Sequence, residues 1–189
     1  MHIGLELESR RRIYEYLAAN PGVHLRRIGQ ALGMSTGMLS YHLGVMEKLG
    51  LLKSETARHR RRYYPALVYR EDQRRILALL RERVPRRVLV DLATHGGRRF
   101  ADLLQTTGVS KSTLSYHLAK LVSTGVAIRE RRDRESVFIL RDGNEVANLI
   151  LACAPSFRDE AVGRFVSIWP RLQDLRQRQR PAVVATIPA

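Results

Sequence analysis

The sequence predicts a mainly α-helical chain with small β-hairpins, built as two copies of one small unit joined by a helix and followed by C-terminal helices. Three observations carry that prediction. First, sliding the chain against itself by 75 residues aligns residues 10–65 with 85–140 without a gap. Within that alignment, 35–53 and 110–128 share seven of nineteen positions: Ser35/Ser110, Leu39/Leu114, Ser40/Ser115, Tyr41/Tyr116, His42/His117, Leu43/Leu118 and Gly50/Gly125. Second, helix breakers keep the same register, as at Gly22/Gly97 and Gly33/Gly108. Third, the charge is blocked in the same way. Of a net +15 over 189 residues, +6 falls in 1–66 and +6 in 85–141, against +2 in 67–84 and +1 in 142–189.

Each repeat reads as three helices and a hairpin. The first helix covers about 6–19, with Ile13, Tyr16 and Leu17 at helical spacing, and stops at Asn20-Pro21-Gly22. A short helix over about 25–32 presents Leu25, Ile28 and Leu32 and ends at Gly33. Ser35 caps a third helix that runs to about Leu49, where Gly50 terminates it. Two helices joined by a short Gly-containing turn form a helix-turn-helix. The segment LLKSETARHRRRYYP then reads as strand, basic tip, strand, which is a wing.

The second repeat predicts helices over about 86–94, 100–107 and 110–124, then a hairpin with its tip near Asp133. After each wing comes another helix: Ile76, Leu79 and Leu80 form an apolar stripe within 70–83, and Val146, Leu149, Ile150 and Cys153 form one in repeat two. A final amphipathic segment carries Phe157, Ala161, Phe165, Ile168 and Trp169. The expected divisions are a first unit at 1–66, a connecting helix at 67–84, a second unit at 85–141, C-terminal helices at 142–170 and a mobile tail at 171–189.

At about 100° per residue, Leu39, Leu43 and Met46 face the core from the third helix, while Gly37, Tyr41, Gly44 and Lys48 point outward, flanked by Thr36 and Ser40. In repeat two the outward set is Ser112, Tyr116, Ala119 and Ser123, flanked by Lys111 and Ser115. A helix of this size fits the major groove, where its first turns reach base edges and phosphates. The wings carry Arg58, Arg60, Arg61 and Arg62, and Arg129, Arg131, Arg132 and Arg134. Arginine suits phosphate because its planar fork donates two hydrogen bonds. Glu130, Asp133 and Glu135 dilute the second wing, so wing one is the stronger by expectation, with Lys111 and Lys120 compensating in repeat two. His42 and His117 read as packing or structural hydrogen-bonding residues, and Cys153 as a buried thiol on the stripe of its helix.

The run Ser-x-x-x-Leu-Ser-x-His-Leu, then Gly-Leu or Gly-Val, then a basic hairpin ending in an aromatic (Tyr63, Phe138) resembles the winged helix-turn-helix repressors of the ArsR-like group. It covers both repeats, an arrangement similar to two-repeat archaeal regulators. The resemblance implies double-stranded DNA as partner and the two third helices as recognition helices. It also implies that the post-wing or C-terminal helices serve as a surface for a homodimer. Metal-sensing members carry Cys-x-Cys before the recognition helix; here those positions hold His24 and Arg26, and Arg99 and Ala101, so no metal or other cofactor is expected.

Several classes are set aside. No Gly-rich phosphate loop, nucleophile-histidine grouping or paired-carboxylate motif is present, so no enzyme is expected. No apolar run approaches the ~20 residues a bilayer requires, the start of the chain lacks a signal-peptide pattern, and one cysteine excludes an intrachain disulfide. These features together predict a cytoplasmic, nucleoid-associated protein. The leading expectation is a transcription regulator that binds duplex DNA through two recognition helices and two Arg-rich wings. With roughly 6–10 phosphates neutralised, its affinity would fall by about 10³–10⁵ between 50 and 200 mM salt. Neither recognition helix presents Arg, Asn or Gln outward, which favours as alternative a nucleoid-associated architectural protein of weak sequence preference. A third reading gives one repeat a protein partner instead of DNA.

Overall fold

The computed structural model describes residues 8–57, 60–132, 135–157 and 159–178. Repeat one consists of α1 (Glu8–Ala19), β1 (Val23–His24), α2 (Leu25–Leu32), α3 (Thr36–Lys48), β2 (Leu52–Ala57) and β3 (Arg60–Pro65). After α4 (Glu71–Leu80), repeat two follows as α5 (Arg83–His95), β4 (Arg98–Arg99), α6 (Phe100–Thr107), α7 (Lys111–Ser123), β5 (Ala127–Arg132) and β6 (Glu135–Leu140). The chain then forms α8 (Gly143–Cys153), a single 3₁₀ turn, and α9 (Glu160–Arg178). Mainly helical, with two small antiparallel sheets ordered β1-β3-β2 and β4-β6-β5, it has the predicted class.

The 75-residue shift holds element by element: α2 superposes in sequence on α6, α3 on α7, and each strand on its counterpart. Local chemistry sets these limits. Ser35 Oγ accepts from the Met38 N–H and Ser110 Oγ from the Thr113 N–H, so both third helices begin on a capped turn. Gly33 (φ 67°) and Gly108 (φ 64°) end α2 and α6 in the left-handed region, which a side chain rarely adopts.

Three boundaries differ from expectation. The helix foreseen at 70–83 stops at Leu80, because α5 begins at Arg83, ahead of the expected 86; Pro85 lies in its first turn, where the missing N–H has no helical acceptor to lose. The strands β1 and β4 are new, each two residues long and paired with the central strand of its sheet. The helix α9 runs on to Arg178, past the boundary at 170, and 179–189 lie outside the described residues.

Two cores form. The smaller holds Ile13, Leu17, Ile28, Leu39, Leu43 and Met46 with Tyr63 from β3. The larger holds repeat two, the stripes of α4 and α8, Phe165 and Trp169 of α9, and also Tyr64 of β3. Adjacent strand residues point to opposite faces, so Tyr63 faces its own unit and Tyr64 faces the other. The stripe Ile76, Leu79 and Leu80 is therefore buried against repeat two, and Cys153 is likewise buried. Both stripes proposed for a homodimer are occupied within one chain.

Polar groups reinforce the junction. Arg62 Nη1 donates to the Gly22 carbonyl at 2.9 Å, and Arg81 Nε to the Pro21 carbonyl at 2.8 Å. Glu82, just before α5, lies 3.8 Å from Arg62 Nη2 and accepts from Lys120 Nζ at 2.8 and 2.9 Å. Burial pulls the Arg81 guanidinium down to about 10, with Arg62 and Arg86 adding to the shift, and the guanidinium stacks over Phe157 at 4.7 Å. On the other side of α4, Glu145 accepts from Arg70 at 2.9 Å and from Gln73 at 2.6 Å. Tyr64 itself is fully buried, and its hydroxyl donates to the Arg74 carbonyl at 3.3 Å. Truncating it in a Tyr64→Ala variant is expected to cost roughly 3–5 kcal/mol of stability, measured by urea unfolding of the full chain; a loss under about 1 kcal/mol would show that the two units do not depend on this contact.

Candidate nucleic-acid interface

The outward face of α3 is the one the helical arithmetic predicts. Leu39, Leu43 and Met46 are buried, while Thr36, Gly37, Ser40, Tyr41 and Lys48 are exposed, Tyr41 at 63%. In α7, Lys111, Ser112, Ser115 and Tyr116 are likewise exposed, Tyr116 at 42%. Each tyrosine meets the following histidine edge to face, Tyr41 with His42 at 5.4 Å and Tyr116 with His117 at 5.1 Å between ring centroids. His42 itself is buried.

Between α3 and the first wing lies a cleft of about 700 Å³, lined by His24, Arg26, Ser40, Glu47, Arg60 and Arg61 among others. Strand β1 brings His24 opposite Arg62 in the sheet and places the first turn of α2, with Arg26 and Arg27, beside the wing. His24 caps that helix, accepting from the Arg27 N–H at Nδ1 at 3.4 Å. Burial, with Arg60, Arg62, Arg26 and Arg27 adding, holds the imidazole below its ordinary range. Arg26, Arg60 and Arg61 thus bring positive charge to one opening, which also holds Glu47. Arg26, Arg27, Lys48, Lys53 and Arg60 are exposed, and no acidic residue among those described is paired with any of them.

The wing arginines sort into three kinds. Arg60 lines the cleft. Arg61 also lines it but donates to Ser54 Oγ at 2.7 Å and to both Glu47 carboxylate oxygens at 3.0 and 2.8 Å, stacking over Tyr63 at 5.6 Å. Arg62 does not belong to the exposed set. It is 6% exposed, because it shares the face of β3 with Tyr64, and that face is covered by the second unit. Lys120 is a second correction: its ammonium is held by Glu82 at the junction rather than presented beside Tyr116. In wing two Arg131 is exposed, Arg132 pairs with Glu130 at 2.7 Å, and Arg99 pairs with Glu135 at 2.9 Å. Arg58 and Arg134 lie outside the described residues.

His24, Arg26 and Arg27 were missed as site residues. The basic pair in the first turn of α2 was a signal, but the two-residue strand that carries it to the wing was not legible. At the positions of Arg26, Arg27, Lys48, Lys53 and Arg60, repeat two has Ala101, Asp102, Ser123, Ile128 and Glu135. Five cations are replaced by two acids and three neutral side chains. No group of three or more His, Cys, Asp or Glu stands close enough to hold a metal ion among the described residues, and none of the described helices is long and apolar enough to cross a membrane.

Residues 7–77 match a family described as an N-terminal HTH domain, and residues 86–128 match the bacterial regulatory protein family arsR. The chain carries two helix-turn-helix domains in tandem, each with a winged hairpin, and the second is similar to the arsR family. Over 135 residues, 71% of this chain, the tandem winged-helix protein is 26% identical to an uncharacterized HTH-type transcriptional regulator of Methanocaldococcus jannaschii, and the match spans 34% of that relative's length. Similar solved structures include the transcriptional repressor PagR of Bacillus anthracis, with 20% identity, TM-score 0.38, and 42% of this chain and 90% of that chain covered. Overoxidized AbfR bound to DNA is another, with 16% identity, TM-score 0.37, and 78% and 98% covered.

Two measurements check this electrostatic arrangement. Arg62→Ala is expected to lower stability by about 1–3 kcal/mol, because the Gly22 carbonyl loses its donor, while Arg60→Ala leaves the urea midpoint within error; equal midpoints for the two variants would return Arg62 to the surface. The folded-state pKa of His24 is below its unfolded value, so protonation favours the unfolded chain. Stability is expected to fall as pH drops from about 6.5 through that lowered value, and less so in His24→Asn, which keeps a capping side chain. Identical pH profiles for parent and variant would remove His24 from the charged cluster.

Proposed function

We propose that the tandem winged-helix protein is a DNA-binding transcription regulator whose first repeat supplies most of the affinity for the duplex. The observation that carries this reading is that Arg26 and Arg60, exposed and without acidic partners among the described residues, line a cleft bordered by the outer face of α3, with exposed Arg27 next to Arg26 in the first turn of α2 and exposed Lys48 at the end of α3. Helix α3 would enter the major groove, with Thr36, Gly37, Ser40 and Tyr41 toward the bases and Lys48 toward the backbone. The first wing and the start of α2 would take the flanking phosphates, Arg60 and Arg26 as forks. Repeat two would contribute through Lys111, Ser112, Ser115, Tyr116, Arg129 and Arg131, with weaker charge because Glu130 and Glu135 already hold Arg132 and Arg99. The family matches of both halves and the regulator named among the relatives support the same class.

A second reading, an architectural protein of weak sequence preference, is favoured by one feature. The exposed faces of α3 and α7 carry Ser, Thr, Gly, Lys and Tyr but none of the Arg, Asn or Gln side chains that make bidentate base contacts. Selection from random duplexes at physiological salt separates the two. The regulator yields an enriched motif that changes when Thr36, Ser40 and Tyr41 are altered; recovery of unbiased sequence at equal affinity overturns it. Replacing Arg26 and Arg60 together with Ala is expected to weaken all duplexes alike and flatten the dependence of log K on log salt by about two units, at roughly 0.9 per phosphate. An unchanged slope would show that the cleft does not meet phosphate.

A further inference from the structure

Between α7 and the second wing lies a groove of about 500 Å³, walled by Phe100, Leu118, Val122 and Phe138, with Arg129 and Ser136 at its edge. Six of its nine lining positions, Phe100, Ser115, Ala119, Val122, Ser136 and Phe138, stand 75 residues on from lining positions of the charged cleft in repeat one, yet its chemistry differs. In repeat one, Arg61 on β3 crosses to Ser54 on β2 and finds a carboxylate inside the chain, Glu47 of α3. In repeat two the same diagonal pair is mirrored: Arg129 on β5 crosses to Ser136 on β6, donating Nε at 2.9 Å and Nη2 at 2.7 Å to its hydroxyl. The residue in the place of Glu47 is Val122, 37% exposed on the groove. No carboxylate among the described residues is paired with Arg129.

We propose that this groove is a binding site for a small organic anion with an apolar body, a monocarboxylate carrying an aliphatic or aromatic tail. The carboxylate takes the place that Glu47 occupies against Arg61, meeting the Arg129 fork, and the tail lies along Phe100, Val122 and Phe138. A guanidinium meets a carboxylate through paired charge-assisted hydrogen bonds. The groove's size lies in the range of small-molecule sites, which combine an apolar wall with a few polar groups that fix orientation. Inorganic phosphate satisfies the cation but leaves the wall uncovered, and a neutral alcohol of the same tail does the reverse. Both halves of the ligand are needed.

The test is calorimetric titration of the full chain, without DNA, with 4-phenylbutyrate and with octanoate, against 4-phenylbutan-1-ol and inorganic phosphate as controls. At least one carboxylate is expected to bind one per chain, at least about tenfold more tightly than either control, a factor of ten being 1.4 kcal/mol. Val122→Glu, which offers Arg129 an internal carboxylate as Glu47 does Arg61, and Arg129→Gln are each expected to weaken binding at least about tenfold while the thermal unfolding curve stays that of the parent. Val122→Ser, which removes apolar wall without adding charge, is expected to weaken the carboxylates and leave phosphate unaffected. The proposal is overturned if neither carboxylate binds below about 10 mM, if alcohol or phosphate binds as tightly, or if Val122→Glu binds like the parent. Since no duplex is present, these outcomes are independent of the DNA-binding reading.

Discussion

The structure depends on a buried polar seam that fastens one winged unit to the other. Arg62 and Arg81 reach the carbonyls of Gly22 and Pro21, and Glu82 lies between Arg62 of β3 and Lys120 of α7. Arg62 is the buried member of this group, and removing it leaves the Gly22 carbonyl without its donor, whereas Glu82 and Lys120 keep partial access to water. Tyr64 fills the apolar part of the same seam. The consequence is geometric: a carboxylate bonded to α7 also forms an ion pair with the wing strand β3 of the first unit, so α7 and β3 keep a fixed relation.

Within that frame the repeats have diverged in charge while keeping their backbone. Every cap and left-handed glycine around the third helices recurs at the 75-residue shift, but the exposed cations do not. Repeat one gathers positive charge from α2, α3 and the wing, and its own Glu47 neutralises only Arg61. Repeat two answers two of its arginines with its own acids and turns the floor of its groove apolar. Net charge by segment is equal in the two units, so formal counting conceals the difference; what separates them is where the partners of each cation lie.

That contrast marks how far the sequence could be read. Helices α2, α3, α6 and α7 were legible because serine, glycine and apolar spacing all specify the same ends, and the repeat checks each reading twice. Strands β1 and β4 were not, since two residues carry no periodicity. The misplacement of Arg62 came from reading a basic run as one surface, although a strand alternates. Two signals were available: Tyr63 and Tyr64 are consecutive aromatics, which a strand can bury only if both its faces are covered, and the repeat counterpart of Arg62 is the apolar Val137, itself buried. Lys120 gave no such sign, since its partner Glu82 stands 38 residues away across a helix junction.

Tyr64 belongs to the larger core although it sits on a strand of the smaller unit. During synthesis the chain leaves the ribosome from its N-terminus, and the residues that enclose Ile13, Leu39 and Met46 are all made by Tyr63. The neighbouring ring must wait for α4, whose Arg74 carbonyl accepts from its hydroxyl, and meanwhile an aromatic side chain stands without that cover at the end of a nascent domain. The first winged unit can therefore reach its shape early, but it acquires its finished underside only once α4 and the residues after it, Arg81 and Glu82, have been translated.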